Sequence, residues 1–224
     1  MQIDYYYLKM LNTIWKCDNL IVTRITNSFF SSNTYILSNT EYDYVWLVDC
    51  GDYFDVKERL FGKYIKGVLL THSHADHIYG LNELLNDFPD AIVYTNDFGI
   101  LALQDPKLNI TKYHDEMSDF IITKVDKVFP LIEGDSIELF PYILANILST
   151  PGHDKSCLSY IVGDYLFTGD SFIPNTKLTA IFPNSNKSEA RNSYDRLKAM
   201  EGLYSICPGH GEIKVRNYTD DFIR

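Results

Sequence analysis

The chain has 224 residues, with 30 acidic against 20 basic side chains and a formal net charge of −10. That length suits one domain with a sizeable core, and the acidic balance argues against a nucleic-acid partner, which needs clustered Lys and Arg to displace counterions from phosphate. Hydrophobic residues at 46% and charged residues at 22% describe an ordinary globular composition, and no apolar run approaches the roughly 18 residues that a membrane span needs.

Residues 1–15 are apolar and Tyr-rich. Tyr7, Met10, Leu11, Ile14 and Trp15 recur at helical spacing, while Tyr5, Tyr6 and Tyr7 suit a strand equally, so both readings stand. Asp4 and Lys9 interrupt the stretch, and it has neither a basic start nor a small-residue cleavage site, so it does not read as a secretory leader. We take residues 1–19 as an extension preceding a single domain over 20–224. The four cysteines, Cys17, Cys50, Cys157 and Cys207, are scattered without a Cys-x-x-Cys pair, which points to reduced thiols and a cytoplasmic location.

From Leu20 the pattern predicts strands over 21–26, 33–37 and 44–48, separated by Asn, Ser and Asp. Asp49-Cys50-Gly51-Asp52 reads as a turn, with Asp52 capping a helix that runs to about Leu60 and stops at Gly62. A buried strand over 65–71 follows, then a helix over 77–88 with Ile78, Leu81, Leu84 and Leu85 on one face, closed by Pro89. Next come a strand over 91–94, a short helix capped by Asn96 and ending near Pro106, and a polar irregular segment over 107–120 that is a candidate substrate loop. His114 within it reads as a solvated loop histidine. The second half predicts strands over 136–140, 143–149, 157–162 and 164–168, a helix over 186–200 with Ala190, Tyr194 and Leu197 inward, and a closing strand over 204–207. Strand runs followed by helices in each half indicate an α+β fold of two facing sheets with helices outside.

The chemistry concentrates where the 65–71 strand stops. Val68-Leu69-Leu70-Thr71 leads straight into His72-Ser73-His74-Ala75-Asp76-His77. His72 and His74, two apart, leave an extended segment on the same side and can hold one cation through imidazole nitrogen. Asp76 and His77, at the mouth of the next helix, can face a second. Three histidines and a carboxylate in six residues would leave buried polar groups unpaired unless a cation bound them.

His72-Ser73-His74-Ala75-Asp76-His77 resembles the His-x-His-x-Asp-His signature of the metallo-beta-lactamase superfamily. Three more segments are similar to the family's remaining motifs: Thr150-Pro151-Gly152-His153, Phe167-Thr168-Gly169-Asp170 and Cys207-Pro208-Gly209-His210. The resemblance spans about residues 21–211 and takes in every histidine except His114. It implies an αββα sandwich of two facing mixed β-sheets. By the same resemblance His72, His74 and His153 hold one metal and Asp76, His77 and His210 a second, with Asp170 between them. The implied cofactors are two zinc ions per chain, with iron or manganese as alternatives. The implied reaction is hydrolysis of an ester, thioester, lactone or lactam of a small molecule by metal-activated water, with Asp76 and Asp170 as catalytic carboxylates. Lys155, Ser156 and Asn175 follow metal ligands closely and are candidate substrate contacts.

Two departures bear on specificity. Ile78-Tyr79-Gly80 stands where hydroxyacylglutathione hydrolases carry a second Gly, and the chain has no room for their added helical domain, so glutathione thioesters are not implied. The 71–78 segment is also similar to persulfide dioxygenases, in which one iron would sit on His72, His153 and Asp170. Their Gly-Arg-Thr-Asp segment is absent from 171–183. A non-catalytic metal-bound protein is the third reading, against which the intact seven-ligand set stands.

Overall fold

A computed structural model describes residues 19–216; the 1–15 stretch and nearly all of the proposed extension lie outside the described residues. The first sheet runs β1 (Leu20–Thr26), β2 (Asn33–Asn39), β3 (Tyr44–Val48), β4 (Tyr64–Leu69), β5 (Ile92–Thr95) and β6 (Val128–Pro130) in that spatial order. Its first three strands pair antiparallel and the rest parallel. The second sheet has the order β11 (Ser205–Pro208), β10 (Tyr165–Gly169), β9 (Leu158–Val162), β8 (Ile143–Ser149) and β7 (Ser136–Phe140), with only β10 and β11 parallel. Both sheets are therefore mixed.

Between them lies one core. Tyr35, Leu37, Trp46, Val48 and Leu69 of the first sheet meet Ala145, Ile147, Leu158, Tyr160, Phe167 and Cys207 of the second. The Trp46 indole N–H donates to Leu139 O across the gap at 2.7 Å, so burying that ring leaves no donor bare. The outer face of the first sheet packs Leu47, Val68 and Leu70 against α1 (Tyr53–Glu58), α2 (Ala75–Ile78) and α3 (Leu81–Asp87) through Val56, Ile78, Leu81, Leu84 and Leu85. The outer face of the second packs Leu166 and Ile206 under Phe172 and Leu197, the latter from α5 (Lys187–Lys198). These are the four layers of the αββα sandwich. All five residues of β3 are buried, as expected of a strand covered on both faces. None of the helices among the described residues is long and apolar enough to cross a membrane.

The structure corrects the element pattern in four places. The helix expected over 77–88 is two helices broken at Tyr79 and Gly80, because the backbone there touches the 49–52 turn. A Cβ on Gly80 would lie 2.2 Å from Gly51 O, while Cys50 N donates to His77 O at 2.8 Å and Gly80 N to Cys50 O at 3.0 Å. Asp52 does not cap α1; its carboxylate instead accepts from Ser28 N, Ser28 Oγ and the Tyr79 hydroxyl. Asn96 does cap α4 (Asp97–Ala102), accepting from Gly99 N at 2.8 Å, but α4 ends before Pro106. The three-residue β6 is an addition at the sheet edge, too short to show any periodicity.

Candidate metal centre

Four strand ends meet at one rim of the sandwich. The loop after β4 delivers His72, His74, Asp76 and His77, the loop after β8 delivers His153, and the residues just past β10 and β11 deliver Asp170 and His210. The two sheets are stitched beside this rim by Leu158 N to Thr71 O at 2.8 Å and by the Tyr160 hydroxyl to Leu70 O at 2.6 Å. The metal loop thus hangs from rigid backbone on both sides.

All seven side chains converge. His74 Nδ1 lies 3.1 Å from His153 Nε2, with the His72 ring 4.6 and 5.1 Å from theirs. Asp76 Oδ2 lies 3.4 Å from His77 Nε2 and 3.3 Å from His210 Nε2. Asp170 stands between the two groups, its Oδ2 3.4 Å from both His153 Nε2 and His210 Nε2 and its Oδ1 3.7 Å from His77 Nε2. Three overlapping sets each place their ligand atoms within 4.8 Å of one another: His72, His74 and His153; His72, His77 and Asp170; and Asp76, His77 and His210.

The chemistry of these atoms fits a cation. His77 Nδ1 donates to Asp49 Oδ2 at 2.8 Å, His153 Nδ1 to Thr179 O at 3.0 Å, and His72 Nδ1 sits 3.1 Å from Thr71 Oγ1. Each ring is thereby oriented from behind with its Nε2 turned inward. His72 Nε2, His77 Nε2 and Asp170 Oδ1 are buried without any hydrogen-bond partner. Bare buried acceptors cost free energy that a cation at their focus recovers, and imidazole with carboxylate is a donor set that suits zinc.

Electrostatics agree. Burial would lower His77, but the carboxylates of Asp76, Asp49 and Asp170 outweigh it and lift the imidazole to about 9. His210 is likewise lowered by burial and raised further by hydrogen bonds to Asp170 and Asp76, reaching about 11. His72 is held well below its ordinary value by burial and by the neighbouring His77 and His74. Burial raises Asp170, yet the His210 hydrogen bond and the charges of His153, His77 and His72 hold it well below the usual carboxylate range. Without metal the second group stores protons that a cation must displace.

Two carboxylates that sequence reasoning missed support the ligands. Asp49, 1% exposed, accepts from His77 and also from Thr71 N and Thr71 Oγ1, both at 2.7 Å. It reads as a turn residue; the available signal was its position just past β3, at the same rim as the histidine loop. Asp154 is fully buried, its Oδ2 3.5 Å from His74 Nε2 and its Oδ1 accepting from Ser156 N and Oγ. Asn33 pins the His210 loop through its amide to Pro208 O and Gly211 O, each at 2.9 Å. Gly209 leaves room for Asp170, since a Cβ there would lie 2.1 Å from Asp170 Oδ1.

A cavity of about 570 Å³ opens over the cluster, with His74, Asp76, His153, Asp170 and His210 on its lining and Phe30, Ile110, His114, Lys177 and Phe182 on its walls. His114 is therefore not a solvated loop histidine: it is half-buried, its ring 4.8 Å from that of Phe30 and 6.0 Å from that of Phe29. The candidate substrate contacts fall elsewhere. Lys155 is exposed with its ammonium over the Phe98 ring, outside the cavity. Ser156 is buried beneath the metal loop, accepting from Ser73 N at 2.9 Å, so it holds the loop and does not face the cavity. Asn175 is exposed in a left-handed turn, and its neighbours Ile173, Thr176 and Lys177 reach the cavity in its place.

Residues 28–210 match the family profile described as the metallo-beta-lactamase superfamily. A "Probable metallo-hydrolase" of Streptococcus pyogenes serotype M6 is 26% identical over 215 residues, covering 92% of this chain and 90% of that one. A hydroxyacylglutathione hydrolase of Hahella chejuensis is 29% identical over 170 residues, which cover 72% of this chain but only 55% of that protein. The crystal structure of the BLEG-1 B3 metallo-beta-lactamase aligns with a TM-score of 0.76 at 22% identity, covering 86% of this chain and 93% of that one, a likeness of fold.

Proposed function

The chain belongs to the metallo-beta-lactamase superfamily, and from that premise we propose that it is a hydrolase of two metal ions, with zinc as the fitting metal, that cleaves an ester, thioester, lactone or lactam bond of a small molecule. One observation carries this reading: seven side chains present unpartnered or closely opposed ligand atoms at the floor of a cavity of small-molecule size. His72, His74 and His153 would hold one ion and Asp76, His77 and His210 the other, with Asp170 standing between the two groups. When bound, such ions polarise a carbonyl and lower the pKa of water from about 15.7 to about 7.

The chain's own residues do the rest. Asp76, at the cavity floor between His77 and His210, orients the attacking water and receives its hydrogen bond. Asp170 keeps the two ligand groups in register from its central place. Asp49 and the Thr179 carbonyl orient the rings of His77 and His153 by hydrogen bonds, and Asp154 lies 3.5 Å behind the ring of His74, so each ring turns a nitrogen into the site. Phe30, Ile110 and Phe182 form an apolar wall against which an acyl group excludes water. A one-iron oxygenase would leave Asp76, His77 and His210 converging with no ion to hold, so the hydrolase reading is the better supported. Cytoplasmic residence belongs to the same proposal, supported by the free buried thiols of Cys50, Cys157 and Cys207.

The test is a panel of thioesters, esters, lactones, β-lactams and phosphodiesters offered to the metal-loaded protein, the chelated protein and His153→Ala. Hydrolysis of one class, abolished by chelation and by His153→Ala and restored to the wild type by zinc, is expected. Oxygen uptake with glutathione persulfide and no hydrolysis of any substrate would overturn the proposal.

A further inference from the structure

A second cavity, of about 640 Å³, adjoins the metal-bearing one; Thr176, Lys177, Leu178 and Tyr194 line both. Its other wall is α5, where Lys187 and Arg191 stand one turn apart with Tyr194 next on the same face. Lys177 comes from the opposite loop. Three cations thus surround one concavity that no carboxylate among the described residues lines, in a chain whose acidic residues outnumber its basic ones by 30 to 20.

What sets these cations apart is the concavity they share, and among the described residues no carboxylate pairs with any of them. Arg24 pairs with Glu212, Lys57 with Asp87, Arg196 with Glu133 and Lys214 with Glu201, whereas among the described residues Lys177, Lys187 and Arg191 have no ion pair. Asp195, one turn beyond Arg191 on α5, does not pair with it. Lys187 and Arg191 repel each other at their i and i+4 spacing, and among the described residues neither is held in an ion pair. A solvated basic face needs no concavity, and it would have no reason to share its wall with a reaction site.

We propose that this second cavity is an anion subsite, and that the substrate is an ester or thioester whose non-reacting end carries a phosphate-class dianion. Lys177, Lys187 and Arg191 hold that dianion while the reacting carbonyl enters the metal-bearing cavity. Arg191 offers the forked donors that match phosphate oxygens, and the two lysines act as point charges beside it. A dianion suits three positive charges better than a single carboxylate does. The hydrolase reading enters only in naming which bond is broken; the anion site stands on the second cavity.

The experiment uses two probes on the metal-loaded protein, the S-methyl thioethers of pantetheine and of 4′-phosphopantetheine. They differ only by the phosphate, contain no cleavable thioester and present no free thiol to the metals. Calorimetric titration at low salt is expected to show the phosphorylated probe binding at least about tenfold more tightly, with the preference shrinking as salt rises. In Lys187→Ala/Arg191→Ala, with metal content retained, the preference is expected to fall below about threefold. Equal or undetectable binding of the two probes by the wild type would overturn the proposal, and so would an undiminished preference in the double variant, which would place the phosphate on the metals. Acetyl thioesters of the same two carriers report separately: if the phosphate preference holds and neither is hydrolysed, the anion subsite stands and the assignment of a thioester as the bond it serves is overturned, while the wider hydrolase reading is decided by its own panel.

Discussion

Replacing Asp49 with Asn isolates the support beneath one metal group while sparing every ligand. Asparagine matches aspartate in size and tolerates the left-handed backbone at this position, φ 59°, so no strain is added. What changes is the acceptor count. The carboxylate serves His77 Nδ1 at 2.8 Å, Thr71 Oγ1 at 2.7 Å and Thr71 N at 2.7 Å. If the amide oxygen stays on Thr71 N, the new NH₂ opposes His77 Nδ1, and the imidazole can accept it only by carrying its proton on Nε2, the atom that faces Asp76. If the amide flips, two donors meet at Thr71 N. Either way one charge-assisted hydrogen bond is lost, worth about 1.5–3 kcal/mol, or about 10- to 150-fold at 1.36 kcal/mol per decade. Removing such an outer partner of a metal-binding histidine typically weakens the metal by about 10- to 100-fold. Stepwise zinc titration against a chromogenic chelator is therefore expected to show the second ion weakened by about that range and the first within threefold. Two unchanged affinities, or weakening confined to the first ion, would refute the reasoning.

Asp170→Asn removes a full negative charge from the centre of the cluster while keeping its shape; turnover on whichever substrate the panel identifies is expected to drop at least about 10²-fold, with loss of the second metal by elemental analysis. His114→Ala, now placed on the cavity wall against Phe30, is expected to raise KM severalfold with kcat and metal content unchanged, and a loss of metal would contradict that placement. Gly209→Ala puts a Cβ 2.1 Å from Asp170 Oδ1, so metal content and activity should collapse while circular dichroism stays native-like. In the metal-free protein His77 is raised from an ordinary 6.5 to about 9, so its contribution to stability is complete below about pH 6.5 and lost as pH climbs through 9. Melting curves with zinc and with chelator are accordingly expected to separate further between pH 6.5 and 9, and a narrowing gap would reverse the sign of that argument.

What the sequence made legible follows from physical scale. The alternation of apolar strands, the Asn96 cap and the inward Leu197 of α5 are local patterns, and each has its counterpart in the αββα sandwich. The four histidine and aspartate segments are short, chemically improbable strings, so they stood out before any geometry was known. The parts that stayed hidden depend on contacts between distant segments. Gly80 breaks the expected helix because of Gly51, 29 residues away in the chain, and Asp52 leaves its capping role for Ser28 and Tyr79. Asp49 looks like any turn aspartate until β3 and β4 lie side by side. His114 looks solvated until the Phe29–Phe30 turn folds over it. Lys155 lies only two residues past His153, but the loop turns its side chain out to Phe98.

The central claim is that two ligand groups share Asp170 and hold two ions. Elemental analysis of the purified chain after dialysis against metal-free buffer tests it most directly. The account predicts about two first-row metal ions per chain, with one retained in His210→Ala. One iron per chain with negligible zinc or manganese, or no metal in protein purified without chelators, would contradict it.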